Sequence, residues 1–408
     1  MSTLLLKKVK IETGFTYDGD RISGTKTEEV DVFVRDGKVE EIGSSLDVPA
    51  DETIQGNGDL LMPSLREMHI HVDKTYFSGP WKACVPITKG ILTRIEEEEL
   101  LLPRQLPYAL ERAENMIKWL LSQGHTHIRS HCNVDPQIGT KHIEITLEAF
   151  KKFEGMLTYD IVAFPQHGLL RSNVEPLMRE AMRKGATLVG GLDPATIDRD
   201  IERSLNLTMD IAVDANAGLD LHIHDGDSLG AFEFKKLAEL VKQGNKIGQA
   251  TISHAIALGD LKGGELDEMI AILREAKIDV TSTVPTNRPT IPIQYLHENG
   301  VNVSLGHDSL TDHWSPFGTG DTIEKLCILA ERFRFMDEYA LNRTWKYASG
   351  GITPLNDAGE RVWPQKGDAA NFLLLDAVCS AQVVARRRPI TRVVHQGKVV
   401  SRNGEVGF

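Results

Sequence analysis

Short apolar, strand-like runs alternate with helix-like stretches between residues 63 and 362. The strand-like runs are rich in β-branched residues or leucine, and most of the helix-like stretches close on glycine or lysine. Strands that alternate with helices form parallel sheets, because each helix carries the chain back to the start of the next strand. The pattern predicts an α/β fold, a (β/α)8 TIM barrel. An open doubly wound sheet is the alternative, although no GxGxxG follows the first strand to favour it.

The individual segments can be read directly from the sequence. The predicted strands after the first are HTHIRSHC, DIVAFPQHG, ATLVGGLD, LDLHIHD, ATISHA, DVTSTVP and VNVSLGHD. The predicted helices are ALERAENMIKWLLSQG, VEPLMREAMRKG, IERSLNLTMDIAVDANAG, AFEFKKLAELVKQG, LDEMIAILREAK and IPIQYLHENG.

The two ends of the chain show a different pattern, with short alternating strands and turn signals. Asp36-Gly37 and Asn403-Gly404 are typical of hairpin turns. Because chain termini tend to lie close together, two β-rich ends pair readily into one small domain. The predicted architecture is therefore a barrel over residues 63–362 and a composite β-sandwich over residues 1–62 plus 363–408.

Composition narrows the class of partner. The net charge of −12 disfavours nucleic acid and anionic membranes as partners. No apolar run approaches ~18 residues, and the N-terminus lacks a secretory pattern. The four cysteines are far apart and form no CxxC, which predicts reduced thiols and a cytoplasmic protein. The acidic run from Glu96 to Glu99 is predicted to be the solvated N-terminal face of a helix.

Nearly every predicted strand ends in histidine, aspartate or glutamine. In an α/β barrel, side chains at the C-terminal ends of the strands converge on one face, which carries the active site. A single histidine at a strand end is usually structural, but a whole set indicates a functional site. The ends are His69-Ile-His71, His131, Gln166-His167, Asp193, His222-Ile-His224, His254 and His307-Asp308.

This set contains a candidate metal site. Side chains alternate along a strand, so His69 and His71 lie on one face and suit two ligands of one ion. An imidazole from His222 and the carboxylate of Asp308 would complete a nitrogen and oxygen site. Such a site favours Zn²⁺ or Fe²⁺ and leaves one position for a water that ionises near neutral pH. We expect one divalent metal ion, zinc in preference to iron.

The order of these motifs resembles the amidohydrolase superfamily and, within it, the cytosine deaminase group. The resemblance extends from about residue 60 to residue 325, and many members of the superfamily are homo-oligomers. Some stretches resemble the triazine-degrading N-isopropylammelide isopropylaminohydrolases, namely LVGGLDPAT, LDLHIHD and W-x-PFG-x-GD from Trp314 to Asp321. The stretches that match the wider group are RSHCNVD, VAFPQHG, TISHA and GHDSLTDHWSPFGTGD.

The resemblance implies a role for each matching residue. The four residues of the candidate metal site match the family's metal ligands, and Asp308 also accepts a proton from the attacking water. His254 matches the residue that polarises or protonates the reacting oxygen or leaving group. Gln166 stands where two-metal members carry a bridging lysine. Because glutamine cannot be carboxylated, a single metal ion is expected.

Two positions depart from the cytosine deaminase pattern. Those enzymes carry a proton-shuttling glutamate three residues after His222, where this chain has Asp225. His224 shares the strand face of His222, whereas Asp225 would point the other way unless the strand ends there. We therefore favour His224 over Asp225 as the proton shuttle. Ser309 replaces a second aspartate, so the substrate would be bound differently.

Several residues are candidates for substrate binding, each with a plainer alternative. Lys74 could hold a substrate carbonyl oxygen or be a solvated loop lysine. Asp193 could bind a ring nitrogen or cap the following helix. Trp314 could stack on a flat ring or pack its own loop. The predicted substrate-binding set is completed by Gln166 and Ser309.

Together these features predict hydrolytic deamination or dealkylamination of a small nitrogen heterocycle such as a pyrimidine, triazine or pterin. One alternative is hydrolysis of a cyclic amide or an N-acyl bond by the same metal site, because the metal ligands alone do not determine which bond is hydrolysed. A catalytically silent ligand-binding relative is a further alternative, but none of the candidate ligands is lost.

Overall fold

Residues 2–407 are described by the computed structural model, and their strands form two sheets. In chain order the strands are β1 (Thr3–Asp18), β2 (Arg21–Arg35), β3 (Lys38–Gly43), β4 (Glu52–Gln55), β5 (Leu60–Pro63), β6 (Leu65–Ile70), β7 (His125–Asn133), β8 (Thr158–Phe164), β9 (Leu188–Leu192), β10 (Gly218–His222), β11 (Ala250–Ser253), β12 (Ile278–Ser282), β13 (Val303–Leu305), β14 (Phe372–Leu375), β15 (Ile390–His395), β16 (Lys398–Arg402) and β17 (Glu405–Val406).

The strands β6 to β13 form a parallel barrel in which each strand pairs with the next one along the chain. The last strand returns to the first through the backbone of Asp308. Its N–H donates to the carbonyl of His69 at 2.7 Å, and its carbonyl accepts from the N–H of His71 at 3.1 Å. The predicted (β/α)8 barrel is confirmed. Its closure brings the ends of β6 and β13, which both carry candidate ligands, into direct contact.

Helices surround the barrel. They are α1 (Ile91–Ser122), α2 (Lys141–Lys151), α3 (Glu175–Lys184), α4 (Ile201–Asp214), α5 (Asp227–Gln243), α6 (Ala257–Asp260), α7 (Gly264–Ala276), α8 (Ile293–Glu298), α9 (Thr322–Phe333), α10 (Glu338–Arg343) and α11 (Ser380–Arg386), with a 3₁₀ turn at Thr344–Tyr347. None of the helices in residues 2–407 combines the length and apolar character that crossing a bilayer requires.

The first helix is longer than the sequence pattern predicted. The sequence predicts a helical stretch from Ala109 and, separately, the N-terminal face of a helix at Glu96 to Glu99. In the structure α1 begins at Ile91 and continues through Pro103 and Pro107. Its buried stripe includes Leu102 before the prolines and Met116 after them. Tertiary packing therefore outweighs the local cost of the prolines.

The second sheet joins the two ends of the chain, which confirms the predicted small β domain. Its order is β17-β16-β15-β14-β5-β1-β2-β3, and β4 also pairs with β1. The junction is the antiparallel pair β5 and β14, in which Leu60 lies opposite Leu375. The sheet is continuous, and one apolar cluster receives Leu6 from one chain end and Phe372 from the other. The hairpin turn predicted at Asp36-Gly37 is confirmed, since both residues adopt positive φ between β2 and β3.

Candidate metal centre

The four candidate metal ligands meet at the C-terminal end of the barrel. One donor atom from each of His69, His71, His222 and Asp308 lies within 4.8 Å of all the others. The Nε2 atoms of His69 and His71 lie 3.5 and 3.3 Å from Oδ1 of Asp308. The three imidazoles are buried, whereas the Asp308 side chain keeps 34% of its surface exposed. The cluster is thus closed on its protein side and accessible to water on the other.

The chemistry of this donor set fits a divalent metal ion. Nε2 of His69 and both ring nitrogens of His222 are buried without a hydrogen-bond partner in the described part of the chain. Buried polar atoms are almost always partnered, so unpaired nitrogens that converge on one point indicate a missing ligand. Burial and the neighbouring imidazoles hold the pKa of His222 well below its usual value. Its neutral ring therefore keeps the lone pair that a metal ion requires.

Hydrogen bonds on the outer side of the rings orient these ligands. Nδ1–H of His71 donates to the backbone carbonyl of His131 at 2.9 Å. Nδ1–H of His69 donates to Oγ of Ser253 at 2.7 Å, and that hydroxyl donates to Asp220 at 2.6 Å. Each ring therefore directs Nε2 toward the centre. Such partners fix the tautomer of a ligating histidine and raise its basicity.

Replacing Ser253 by alanine should weaken metal binding without removing a ligand. Losing the hydrogen bond to His69 is expected to lower metal affinity by roughly 10- to 100-fold, the usual cost of losing such a partner. A competition titration with a chelator measures the change. Ser282→Ala at the end of β12 is the matched control, because its hydroxyl contacts the backbone of Val284 and no candidate ligand. Equal affinities for the two variants would contradict the role given to Ser253.

A competing metal group exists, but its carboxylate is already engaged. His131 and Asp220 also come within 4.8 Å of a nitrogen of His69. The Asp220 carboxylate, however, accepts from Nη1 of Arg129 at 2.8 Å and from the hydroxyl of Ser253 at 2.6 Å. A carboxylate paired in this way stabilises its surroundings and has little capacity left for an ion. Asp220 therefore belongs to the support of His69.

In a third group, Glu67 with His125 and His307, the first two residues already have partners. Nδ1–H of His125 donates to the carbonyl of Leu120 at 2.8 Å, and its Nε2 accepts from the hydroxyl of Thr322 at 2.7 Å. Both nitrogens of that ring are therefore used. The geometry favours the His69-containing cluster with Asp308 as the metal centre.

Two residues at this end of the barrel have a strained backbone. His254 and Asp308 have φ values of 70° and 65°, in the left-handed region that residues other than glycine rarely adopt. His254 follows directly on strand β11, and Asp308 lies three residues after the end of β13. Nε2 of His254 lies 4.0 Å from Oδ2 of Asp308. Strain of this kind is concentrated at functional sites, where the surrounding fold maintains it.

His224 lies beside His254 and is held by Asp193. The two imidazole rings are 4.1 Å apart between centroids. The Asp193 carboxylate accepts from Nδ1–H of His224 at 3.0 Å and from its backbone N–H at 2.6 Å. Although burial opposes it, the charge of Asp193 raises the pKa of His224, whereas burial and His224 itself hold the pKa of His254 well below normal. The His224 ring is thus favoured in its protonated form, and the His254 ring is favoured in its neutral form.

The structure does not bring Asp225 into this group. Strand β10 ends at His222, and the Asp225 carboxylate accepts hydrogen bonds from the backbone N–H of Thr196 at 3.2 Å and from the Thr196 hydroxyl. It also lies near Glu233, where burial and the charge of Asp225 raise the pKa of that carboxyl to about 9. Asp225 therefore belongs to a buried carboxyl pair, away from the rings.

Lys74 is fully buried, so it is not a solvated loop lysine. Its Nζ donates to Oε1 of Gln166 at 2.6 Å and to Oε1 of Glu98 at 3.1 Å, and lies 5.4 Å from the ring centre of Trp314. Against the opposing effect of burial, the Glu98 charge raises the pKa of Lys74. Lys74 thus contacts two other predicted substrate-binding residues, Gln166 and Trp314. Ser309, another of the five, follows Asp308 directly and is half-buried.

Glu98 connects this group, and the sequence analysis missed it. The prediction that the acidic run from Glu96 to Glu99 faces solvent is wrong for Glu98, which has 0% exposure. Against the opposing effect of burial, Lys74 and the hydrogen bonds from two histidines hold the pKa of Glu98 well below its usual value. Its carboxylate accepts hydrogen bonds from the side chains of five residues: Lys74, Asn133, His167, His313 and Trp314.

A signal for Glu98 was present in the helical spacing. Ile95 and Leu102 are buried on α1, and Glu98 falls between them on the same face, three residues from one and four from the other. A charged residue on the apolar stripe of a helix must find buried partners. The run of four acids concealed this, because such a run is typical of a solvated helix face.

Comparisons with known proteins agree with this site. The amidohydrolase family profile matches residues 98–401. YahJ of Escherichia coli, an uncharacterised protein, is 41% identical over 400 residues that cover 97% of this chain and 87% of YahJ. The crystal structure of N-isopropylammelide isopropylaminohydrolase from Burkholderia multivorans has 29% identity and a TM-score of 0.87, over 100% of both chains. 5-Methylcytosine deaminase from Klebsiella pneumoniae shares the fold, with 23% identity and a TM-score of 0.78 over 100% of this chain and 98% of its own.

The length of these matches leaves no doubt about the family, and they confirm the resemblance that the motifs indicated. The chain belongs to the amidohydrolase family and is an enzyme that hydrolyses carbon–nitrogen bonds other than peptide bonds.

Proposed function

We propose that the enzyme removes ammonia or an alkylamine from a ring carbon of a small, flat nitrogen heterocycle. The observation that carries this proposal is the group formed by His224, His254 and Asp308. It sets three proton-transfer residues side by side at the metal centre. Of the two solved structures, the one with 29% identity is N-isopropylammelide isopropylaminohydrolase, and its name describes removal of isopropylamine from a triazine. A pyrimidine, triazine or pterin is the class of substrate that we infer.

We infer one metal ion, zinc in preference to iron, held by the three histidines and the aspartate of the metal centre. Three nitrogens and one oxygen form a donor set typical of catalytic zinc. When bound there, such an ion supplies a water of lowered pKa and polarises the reacting carbon. Gln166, where a bridging lysine would hold a second ion, is a neutral amide hydrogen-bonded to Lys74. This favours a single ion.

The residues around the centre have separate roles in the reaction that we propose. The exposed part of the Asp308 carboxylate accepts the proton of the attacking water. His254 holds the developing negative charge by hydrogen bonding. His224, paired with Asp193, delivers a proton to the departing nitrogen, so that it leaves as a neutral amine. We favour His224 over Asp225 because the Asp225 carboxylate is bonded to Thr196 instead.

The other side of the site suits a neutral ring. Lys74 is paired with Glu98 at 3.1 Å, so its charge is not free to attract an anionic substrate. Gln166 uses its oxygen for Lys74, which leaves its amide N–H groups free to donate to a ring nitrogen or carbonyl. Trp314 offers an aromatic face beside them. Ser309 lies next to Asp308, where a hydroxyl contacts the ring edge.

The first experiment is to measure the products of purified, metal-quantified enzyme with a panel of substrates. Cytosine, isocytosine, ammelide, N-alkylated triazines and pterins report release of ammonia or amine from an intact ring. Hydantoin and dihydroorotate report ring opening, the alternative in which a cyclic amide is hydrolysed. We expect amine release with about one metal ion per chain. Turnover of the cyclic amides alone would be consistent with the metal site, but it would show that the enzyme hydrolyses a different bond from the one proposed.

A pair of variants tests the proton shuttle. His224→Asn should retain the metal and lose at least about 100-fold in kcat, the usual contribution of a positioned acid. Asp225→Asn should lose much less, because its carboxylate is held by Thr196. The measurement is kcat with metal content for both variants. A greater loss in Asp225→Asn would assign the shuttle to the aspartate.

The four cysteines are free thiols, and we propose the cytoplasm as the compartment in which the enzyme works.

A further inference from the structure

A second cavity lies at the opposite end of the barrel from the metal centre. It has a volume of about 460 Å³ and lies between the N-terminal ends of β6, β7 and β8 and the sheet built from the chain ends. Arg66 and His127 line it, three residues before His69 and four before His131. At about 3.3 Å per strand residue, roughly 10 Å or more of barrel separates the two sites. The cavity is therefore distinct from the catalytic centre.

The guanidinium of Arg66 has no partner in the described part of the chain. Its Nε is buried without a hydrogen bond, and its Nη1 packs so closely on Gly350 that a Cβ there would approach to 2.9 Å. Asp160 and Asp279 are close enough to act on Arg66 electrostatically, but neither forms an ion pair with it, and Asp160 pairs with Arg129 at 3.1 Å instead. A half-buried guanidinium without a hydrogen-bonded partner is costly, which points to a negative group supplied from outside.

Other polar side chains line the same cavity. His395 is 2% exposed, and its Nδ1 is buried without a partner among residues 2–407. Nδ1 of His127 is hydrogen-bonded to the hydroxyl of Thr158 at 2.9 Å, and its Nε2 lies 3.5 Å from the Asp160 carboxylate. The side-chain oxygen of Asn371 accepts from the backbone N–H of Gln396 at 2.9 Å, and its amide nitrogen is left to donate. The cavity lining therefore offers one fixed positive charge and the amide donor of Asn371.

We propose that this cavity binds a small organic anion through carboxylate or phosphate oxygens, with Arg66 as its counter-ion. The planar guanidinium donates two parallel hydrogen bonds that match such oxygens. The volume falls in the range of small-molecule sites, which often lie where two structural units meet. One acid, Asp368, also lines the cavity. Its Oδ2 accepts from the backbone N–H of Gln365 at 2.7 Å, and it forms no ion pair with Arg66.

Titration calorimetry on the full, metal-loaded chain tests this proposal. The probes are inorganic phosphate and succinate at constant ionic strength. We expect saturable binding of at least one probe, and Arg66→Gln should weaken it by about tenfold or more, as for the loss of a charge-assisted hydrogen bond. Arg21→Gln, which removes the same charge from the exposed start of β2, should leave binding unchanged. The probe that binds more tightly shows whether the cavity prefers phosphate or carboxylate oxygens.

Phosphate could also bind at the metal centre, so His71→Ala provides a second control. Binding that survives in His71→Ala and is lost in Arg66→Gln supports the cavity. Binding that is lost in His71→Ala and retained in Arg66→Gln overturns it, as does the absence of binding in the unaltered chain. If Arg66→Gln does not fold, Asn371→Ala replaces it, and unchanged affinity in that variant counts against the proposal. The inference does not rest on the proposed reaction, because its readout is binding alone.

Discussion

His71→Ala should contain less than about a tenth of a metal ion per chain and show no hydrolysis above background. The variant removes one of four converging donors and leaves two imidazoles and one carboxylate, a weaker donor set for the ion. Metal analysis by mass spectrometry and amine release on the best substrate of the panel measure the two effects.

A histidine outside the centre provides the control for this prediction. His297→Ala on α8 removes an imidazole that stacks edge-on against Tyr347 and contacts no candidate ligand. It should retain both metal and turnover. Far-UV circular dichroism shows whether each variant is folded, since the barrel does not depend on His71 for its apolar core. A folded His71→Ala enzyme with a full complement of metal and normal turnover would overturn the ligand assignment.

The metal centre could be predicted from the sequence because the geometry of strands follows simple rules. Alternation places His69 and His71 on one face, and parallel strands of a barrel end at one rim. These two rules predict that residues as distant as His71 and Asp308 meet, and their side chains lie 3.3 Å apart. The rules use only the positions of strand ends, which apolar runs mark clearly.

The same rules fail where the chain leaves a strand. His224 and Asp225 follow the end of β10, so alternation no longer determines where they point. Their directions are set by Asp193 and Thr196, which belong to the loop after a different strand. Such a choice depends on contacts between loops. A single sequence contains no local pattern that reveals them.

The network around Glu98 was hidden for a related reason. Its partners come from the loops after β6, β8 and β13 and from the end of β7, and no local pattern in the sequence joins them. Glutamate is a residue type usually found in solvent, but the Glu98 side chain lies fully buried. Only the folded arrangement shows that five donors surround it.

Glu98→Gln should therefore be the most damaging substitution outside the metal ligands. The amide is close to isosteric, but it removes the carboxylate that pairs with the buried Lys74 ammonium. Breaking a buried pair in this way costs about 3–5 kcal/mol of the free energy of unfolding. We also expect kcat/KM to fall by at least about 100-fold, because Lys74, Gln166 and Trp314 lose the group that fixes their positions. Chemical denaturation and steady-state kinetics measure the two losses.

A double variant separates the role of Glu98 in positioning from its role in stability. Glu98→Gln combined with Lys74→Met removes both charges, so the double variant should regain part of the stability lost in Glu98→Gln, as expected for directly coupled residues. Its activity should stay low, because the side chain that contacts substrate is now missing. If Glu98→Gln alone retained full stability and turnover, the buried ion pair would not organise this wall of the site. If the double variant recovered activity along with stability, Glu98 would act through the fold, and Lys74 would have no part in binding substrate.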